Sequence, residues 1–415
     1  MLRSLFFSIS GLLVVIGIGA QSLTADDWLQ WRGPNGNGVA DLSQKPPVEW
    51  GDFKNIVWKT KVPGRGHSSP TIFDGRIYLT TADKTEQTQS VLCYDQKSGD
   101  KLWEKVIHRG QLVRRIHQKN THASPTVACD GESLFVFFNN SDKVWLTKLD
   151  LAGKQLWQKE AGLFKPFYPF GFGGSPTIHG DRVIVAAESE KVGFIASYDK
   201  ESGKEIWRQE RNRTSYSSPI VAEVGGKKQV LLSGGSSVAG MDVDSGKELW
   251  KAPTIWQVSC GTLVWNKDHV FASGGFPRAQ TLCVKADGSG EIVWTNKVKC
   301  YEQSMMYHDG FLYGISDAGI GYCWNAEDGS EMWKARMEGP VSCSLMLANG
   351  NLYYASEKGT TFVFKATPEK FDLIARNKLG QSAFATPAFC DNRIYTRIAK
   401  DEEGRRQEYL VCIGE

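Results

Sequence analysis

Tyr94-Asp95-Gln96-Lys97-Ser98-Gly99-Asp100-Lys101-Leu102-Trp103 is one copy of a phrase that recurs along the chain. It returns as Asp150-Leu151-Ala152-Gly153 with Trp157, as Asp199-Lys200-Glu201-Ser202-Gly203 with Trp207, and as Asp242-Val243-Asp244-Ser245-Gly246 with Trp250. Looser copies close at Trp294 and Trp333, and Ile56-Val57-Trp58-Lys59 is a closing word with no opening before it. The spacing from Trp58 to Trp333 averages about 46 residues, a period typical of solenoids and propellers.

A second phrase precedes each Trp by about 30 residues. It reads Ser68-Ser69-Pro70-Thr71, Ala123-Ser124-Pro125-Thr126, Gly174-Ser175-Pro176-Thr177, Ser217-Ser218-Pro219-Ile220 and Ala385-Thr386-Pro387-Ala388. An Asp-Gly-like turn and an alternating apolar run follow, as in Asp74-Gly75-Arg76-Ile77-Tyr78-Leu79. Such a turn between apolar runs signals a hairpin, because it needs positive φ. Each unit thus reads as four short antiparallel strands, and radial repetition of such units gives a β-propeller.

Lead-ins near residues 68, 123, 174, 217, 261, 303, 343 and 385 count eight blades. The last unit has a third strand at Glu408–Cys412 and no fourth, so Asn55–Lys59 is expected to supply it and close the ring without an exposed edge. The expected architecture is all-β, an eight-bladed propeller over residues 48–415 completed by an N-terminal strand. It is preceded by a signal peptide (1–25) and a leader segment (26–47). Arg3 followed by the apolar stretch Leu5–Ala20 has the pattern of an export signal, with cleavage after Ala20 or Ala25. A membrane anchor is the alternative, although the apolar run is short for a span. The expected location is the periplasm or the exterior, with no transmembrane span in the mature chain, which is expected to be a monomer.

A net charge of +3 over 415 residues argues against nucleic acid as a bulk partner. Nine cysteines are scattered, with no Cys-x-x-Cys, and most stand where sister units carry small apolar residues. They read as buried thiols. Zinc-ribbon, zincin, nucleophile-elbow and phosphate-loop signatures are missing from the sequence.

The Asp-x-x-Ser/Thr-Gly-x-x-x-Trp phrase in four-stranded units resembles the Trp-docking repeat of the pyrroloquinoline quinone (PQQ) propellers, the quinoprotein-like superfamily. The resemblance spans roughly residues 28–415. Trp28-Leu29-Gln30-Trp31-Arg32-Gly33-Pro34 looks like the leader of exported bacterial PQQ-like repeat proteins. The superfamily includes quinoprotein dehydrogenases and non-enzymatic relatives such as the outer-membrane assembly lipoprotein BamB. The dehydrogenases imply a vicinal cysteine pair and a calcium held by Glu and Asn beside a catalytic Asp. This chain has no adjacent cysteines, and no such acidic set can be carried over. The resemblance therefore implies a binding scaffold in the cell envelope, with no cofactor expected and an envelope protein or extended polypeptide as partner. The alternative is a PQQ-and-calcium or other small-molecule oxidoreductase with its site in the central funnel.

Two sets of candidate residues follow. Aligning the hairpins puts His67, His122, Gly173, Tyr216, Cys260, Glu302, Ser342 and Phe384 at equivalent positions on the channel rim. These read as water-facing polar positions, as a small-molecule pocket, or as metal contacts, the last opposed by the width of an eight-bladed channel. The second set lies on two successive crossovers. One is basic, with Arg109, Arg114, Arg115, His117 and Lys119. The other is aromatic, with Phe164, Phe167, Tyr168, Phe170 and Phe172. Trp256 and Arg213 extend the patch. Aromatic and Arg-rich composition suits a protein-binding hot spot, and folding of the aromatics over the channel is the competing reading.

Overall fold

The computed structural model describes residues 27–415; the expected signal peptide at 1–25 lies outside the described residues. Eight separate four-stranded antiparallel sheets follow one another in chain order, and among the described residues there is no helix. Blade 1 runs Thr71–Phe73, Arg76–Asp83, Thr88–Asp95 and Lys101–Arg109, from the channel outward. The inner strands of blades 2 to 8 are Ala128–Cys129, Thr177–His179, Ile220–Val224, Val264–Trp265, Met306–His308, Met346–Ala348 and Ala388–Cys390. Crossovers between blades gather on one face, called upper here. The Asp-Gly and Ser-Gly turns gather on the lower face.

The two repeated phrases each make one inter-blade joint. The Trp of an outer strand lies against the Gly of the next blade's turn, where a methyl group would collide. A Cβ on Gly99 would sit 2.6 Å from the Trp58 ring, and one on Gly246 would sit 2.4 Å from Trp207. Both glycines have positive φ, 77° and 70°, so glycine is required twice over. The indole N–H then donates to a carbonyl beside that turn. Trp58 reaches Gln96 O at 3.1 Å, Trp207 reaches Val243 O at 3.1 Å, Trp294 reaches Ala326 O at 2.9 Å and Trp333 reaches Thr367 O at 2.8 Å. This satisfies the one polar atom that burying a Trp brings with it.

The ring closes as the strand arithmetic requires. Ile56–Val62 pairs antiparallel with Arg405–Ile413, Thr60 opposite Leu410, and becomes the outer strand of blade 8. A buried ion cluster ties this blade to blade 1. The Glu408 carboxylate takes Arg397 at 2.6 Å, Arg406 at 3.2 Å and the backbone N–H of Gly66 at 3.2 Å, and Arg397 also reaches Thr80 O at 2.7 Å.

The segment delimited as a leader is built into the ring and forms the floor of its channel. Trp28 and Ile72 of blade 1 exchange N–H···O bonds of 2.9 and 2.8 Å. Leu29 accepts from Cys129 of blade 2, and the Gln30 side chain accepts from Ile178 of blade 3. Arg32, fully buried, donates to Met305 O at 2.9 Å and Leu345 O at 3.3 Å, in blades 6 and 7. Gly38 and Ala40 bond Leu347, and Gln44 bonds Asn392 of blade 8. With only carbonyls about it, the Arg32 guanidinium is pushed by burial down to about 9.

The nine cysteines are free thiols, eight of them buried, as the sequence suggested.

Candidate functional site

A belt of hydroxyls girdles the channel just above the leader. The N–H of Ser69 donates to Thr126 Oγ1 (3.0 Å), that of Thr126 to Ser175 Oγ (2.9 Å), and that of Ser175 to Ser218 Oγ (2.9 Å). Thr262 continues to Ser304 (2.9 Å), Ser304 to Ser344 (2.9 Å), and Ser344 to Thr386 (3.0 Å). At these six of the eight joints a blade's hydroxyl caps its neighbour's inward N–H, which is why the lead-in carries Ser or Thr. The Trp31 indole donates to Thr262 Oγ1 at 2.8 Å, so the leader is fastened to the belt from below.

The belt corrects one expectation. Thr126, not Ser124, occupies the place of Ser69, so the Ser-Pro pair of blade 2 sits two residues early. The rim position in that blade is Ser124. His122 lies off the funnel, with Nε2 2.8 Å from Val113 O. The other rim residues, His67, Gly173, Tyr216, Cys260, Glu302, Ser342 and Phe384, do line one funnel of about 380 Å³, floored by Trp31. His67 of blade 1 stacks on Phe384 of blade 8, with centroids 4.6 Å apart and 6° between planes. Its pKa is held well below the ordinary histidine value by burial, with Arg65, Arg397 and Arg406 adding repulsion.

An acid–base cluster closes one side of the mouth. Lys119, on the crossover from blade 1 to blade 2, reaches Glu357 at 2.6 Å and Glu302 at 3.8 Å, in blades 7 and 6. Ser342 donates to Glu302 at 2.6 Å and lies 2.8 Å from Glu357 Oε1. Burial raises the Glu302 pKa, opposed by the Ser342 bond and by Lys119. Burial lowers the Lys119 pKa, but its carboxylate partners outweigh this, so the net shift is upward. Beside Glu302, on the adjacent blade 5, Cys260 is pushed up by desolvation, with the Glu302 charge adding to the shift, so it is a neutral thiol and no ready nucleophile.

The two crossovers meet, as their succession implied. His117 lies edge-on to Phe170, centroids 5.9 Å apart, and Asn120 donates to Phe170 O at 2.7 Å. Tyr168 stacks on Phe170 at 5.2 Å and meets Phe276 at 5.4 Å. Phe167 stands on Tyr168 at 5.0 Å and is 76% exposed. Arg109, Arg114, Arg115 and His117 are exposed. Four expected patch members lie elsewhere. Phe164 and Phe172 are buried against each other, centroids 5.0 Å apart. Trp256 is fully buried, packed where Gly274 leaves room for its ring. Arg213 lines a separate lateral groove between blades 3 and 4, with Glu188 and Arg211.

Among the described residues no group of three or more His, Cys, Asp or Glu side chains is arranged to hold a metal ion. Glu302 and Glu357 are already engaged by Lys119 and Ser342. A divalent cation would have to displace that ammonium, so this donor set does not fit a calcium-held quinone. No described helix is long and apolar enough to cross a membrane.

The quinohemoprotein alcohol dehydrogenase ADH IIB of Pseudomonas putida is 26% identical over 152 residues, 34% of this chain and 19% of the enzyme's length. This chain therefore matches only about a fifth of that relative. The quinohemoprotein alcohol dehydrogenase of Comamonas testosteroni superposes with a TM-score of 0.65 at 13% identity, covering 94% of this chain and 81% of that one. BamB of Moraxella catarrhalis superposes at 0.60 and 13% identity, covering 86% and 99%. At such identities the likeness is one of fold. The family described as outer membrane protein assembly factor BamB matches residues 51–164, 88–335 and 279–368. Since these overlapping matches run through most of the ring, the chain belongs to that family of PQQ-like β-propellers.

Proposed function

We propose that this protein is a non-enzymatic, exported scaffold of the cell envelope that binds an extended polypeptide on its upper face. One observation carries the reading: Phe167 is a large exposed ring held on a pedestal of Tyr168, Phe170 and Phe276, beside a crossover bearing Arg114 and Arg115. A rigid aromatic anchor with flanking guanidinium groups is the usual composition of a binding hot spot. Family membership and the fold shared with BamB support a protein partner. The test places a photo-crosslinking residue at Phe167 in the envelope of the source cell. A discrete crosslinked polypeptide that disappears in Arg114→Glu/Arg115→Glu supports the reading. Unchanged capture by the charge-reversed protein argues against this face.

A second reading, a small-molecule oxidoreductase, is favoured by the funnel, whose volume of about 380 Å³ suits a compact ligand. Calorimetric titration with PQQ and calcium separates the two. Saturable one-to-one binding that Glu302→Gln weakens would move the assignment to the funnel.

A further inference from the structure

The leader follows a track across the channel floor. Three residues past each belt hydroxyl, the inner strand turns an N–H toward the axis. The leader accepts this bond in blade 1 (Ile72 to Trp28 O), blade 2 (Cys129 to Leu29 O, 2.7 Å), blade 3 (Ile178 to Gln30 Oε1, 3.1 Å) and blade 7 (Leu347 to Gly38 O, 2.9 Å). From Trp28 to Gln30 it advances one residue per blade. Trp31 then passes over blade 4 to Thr262 of blade 5. Val221, at the equivalent place in blade 4, receives no acceptor from the described residues of the leader.

Blade 4 is built differently at this point. Its inner strand Ile220–Val224 has 5 residues, where the other seven have 2 or 3. The two-residue turn Gly225-Gly226 closes the pair Val224↔Lys227. Ladder bonds alternate back from such a turn, falling on Val224, Ala222 and Ile220. Val221 and Glu223 therefore direct their N–H and C=O groups out of the sheet. This edge borders a cleft of about 390 Å³ whose apolar walls include Trp31, Pro34, Ile178 and Trp265. Its charged lining is Lys228 and Glu223, one of each sign, so recognition falls to the backbone and the two indoles.

We propose that this cleft is a second binding site, on the face opposite the funnel, for an extended apolar segment of a partner polypeptide added as a short strand to the blade 4 edge. The occupied end of the track shows the mode. At blade 1 the extended residue Trp28 exchanges both N–H···O bonds with Ile72 and buries its indole against Phe389, centroids 5.9 Å apart. Two outward residues at blade 4 call for a segment of about three residues, roughly 10 Å long, with backbone bonds supplying affinity and the walls selecting apolar side chains.

The test uses the full chain and a blocked, labelled peptide of the sequence Asp27–Trp31, the stretch that makes this bridge at blade 1. Hydrogen exchange and fluorescence polarisation are read together. Saturable binding that slows exchange at the Val221 and Glu223 amides is expected. Val221→Pro removes only the outward N–H, a change that edge strands tolerate, and should weaken binding about tenfold. Glu223→Pro gives the same reading if the first variant does not fold. No binding up to about 1 mM, protection confined to other amides, or full affinity in a folded proline variant overturns the proposal. Protection of the two amides by rising concentration of the chain alone would assign the edge to a second copy and overturn the partner.

Discussion

The indole N–H of Trp250 is linked to blade 5 through Gln229. Its indole N–H donates to Gln229 Oε1 at 2.6 Å, and Gln229 Nε2 donates on to Ala286 O at 3.0 Å. Ala286 is the counterpart of the carbonyl that other docking tryptophans reach directly, and here a buried amide bridges the gap. Gln229→Ala would leave an indole N–H and a carbonyl buried without partners. Each costs about 1–3 kcal/mol, so a loss of about 3 kcal/mol in denaturant unfolding is expected. A variant within about 0.5 kcal/mol of the parent would show the relay to be dispensable.

Arg32 is the nail of the channel floor, and Arg32→Leu should loosen it. Met305 O and Leu345 O lose their donor, while the apolar stem is replaced. Limited proteolysis should then cut within residues 27–47 well before the blades. Equal protection of this segment in parent and variant would mean that the other leader contacts suffice.

Deleting residues 48–62 removes the outer strand of blade 8 and exposes the edge of Arg405–Ile413. Calorimetry should lose the single cooperative transition, and an apolar dye should bind. A truncated protein melting like the full one would sink the two-ended closure.

Stability should fall as the medium is acidified below about pH 6.5, the ordinary histidine range. His67 is held well below that range, and burial pushes His108 down to about 4. Both groups take up a proton more readily unfolded than folded. Their contribution is complete above the unfolded value and is lost as pH falls toward the folded one. His67→Phe/His108→Phe keeps the ring packing against Phe384 and against Phe138 and Trp145. It should flatten the slope by up to about 1.4 kcal/mol per pH unit for each group. An unchanged slope would place the sensitivity elsewhere.

What the sequence disclosed was what the fold repeats. Trp beside Gly and hydroxyl beside Pro recur because neighbouring blades pose nearly the same packing problem, so blade number and closure could be counted. Single-copy contacts left no such trace. Nothing in Trp28–Arg32 announces that these residues bond to several blades, and the track appears only when the blades stand in a ring. His122 was misplaced because Pro125 marks the lead-in of blade 2 two residues away from where the belt hydroxyl falls. Composition also fails to separate exposed from buried aromatics. Phe167 and Phe164 stand three residues apart, one exposed and the other packed on Phe172.

The pairing of Ile56–Val62 with Arg405–Ile413 also sets a timetable. Ile56–Val62 cannot find its partner until residues 405–413 have been made, and the floor laid by Trp28–Gln44 has its full set of walls only then. Pairing of strands so far apart in the sequence closes a very long loop and is correspondingly slow to find. A ring that is sealed by Ile56–Val62 on Arg405–Ile413 stays open until both strands have been made, so every earlier blade must wait as part of an unclosed arc.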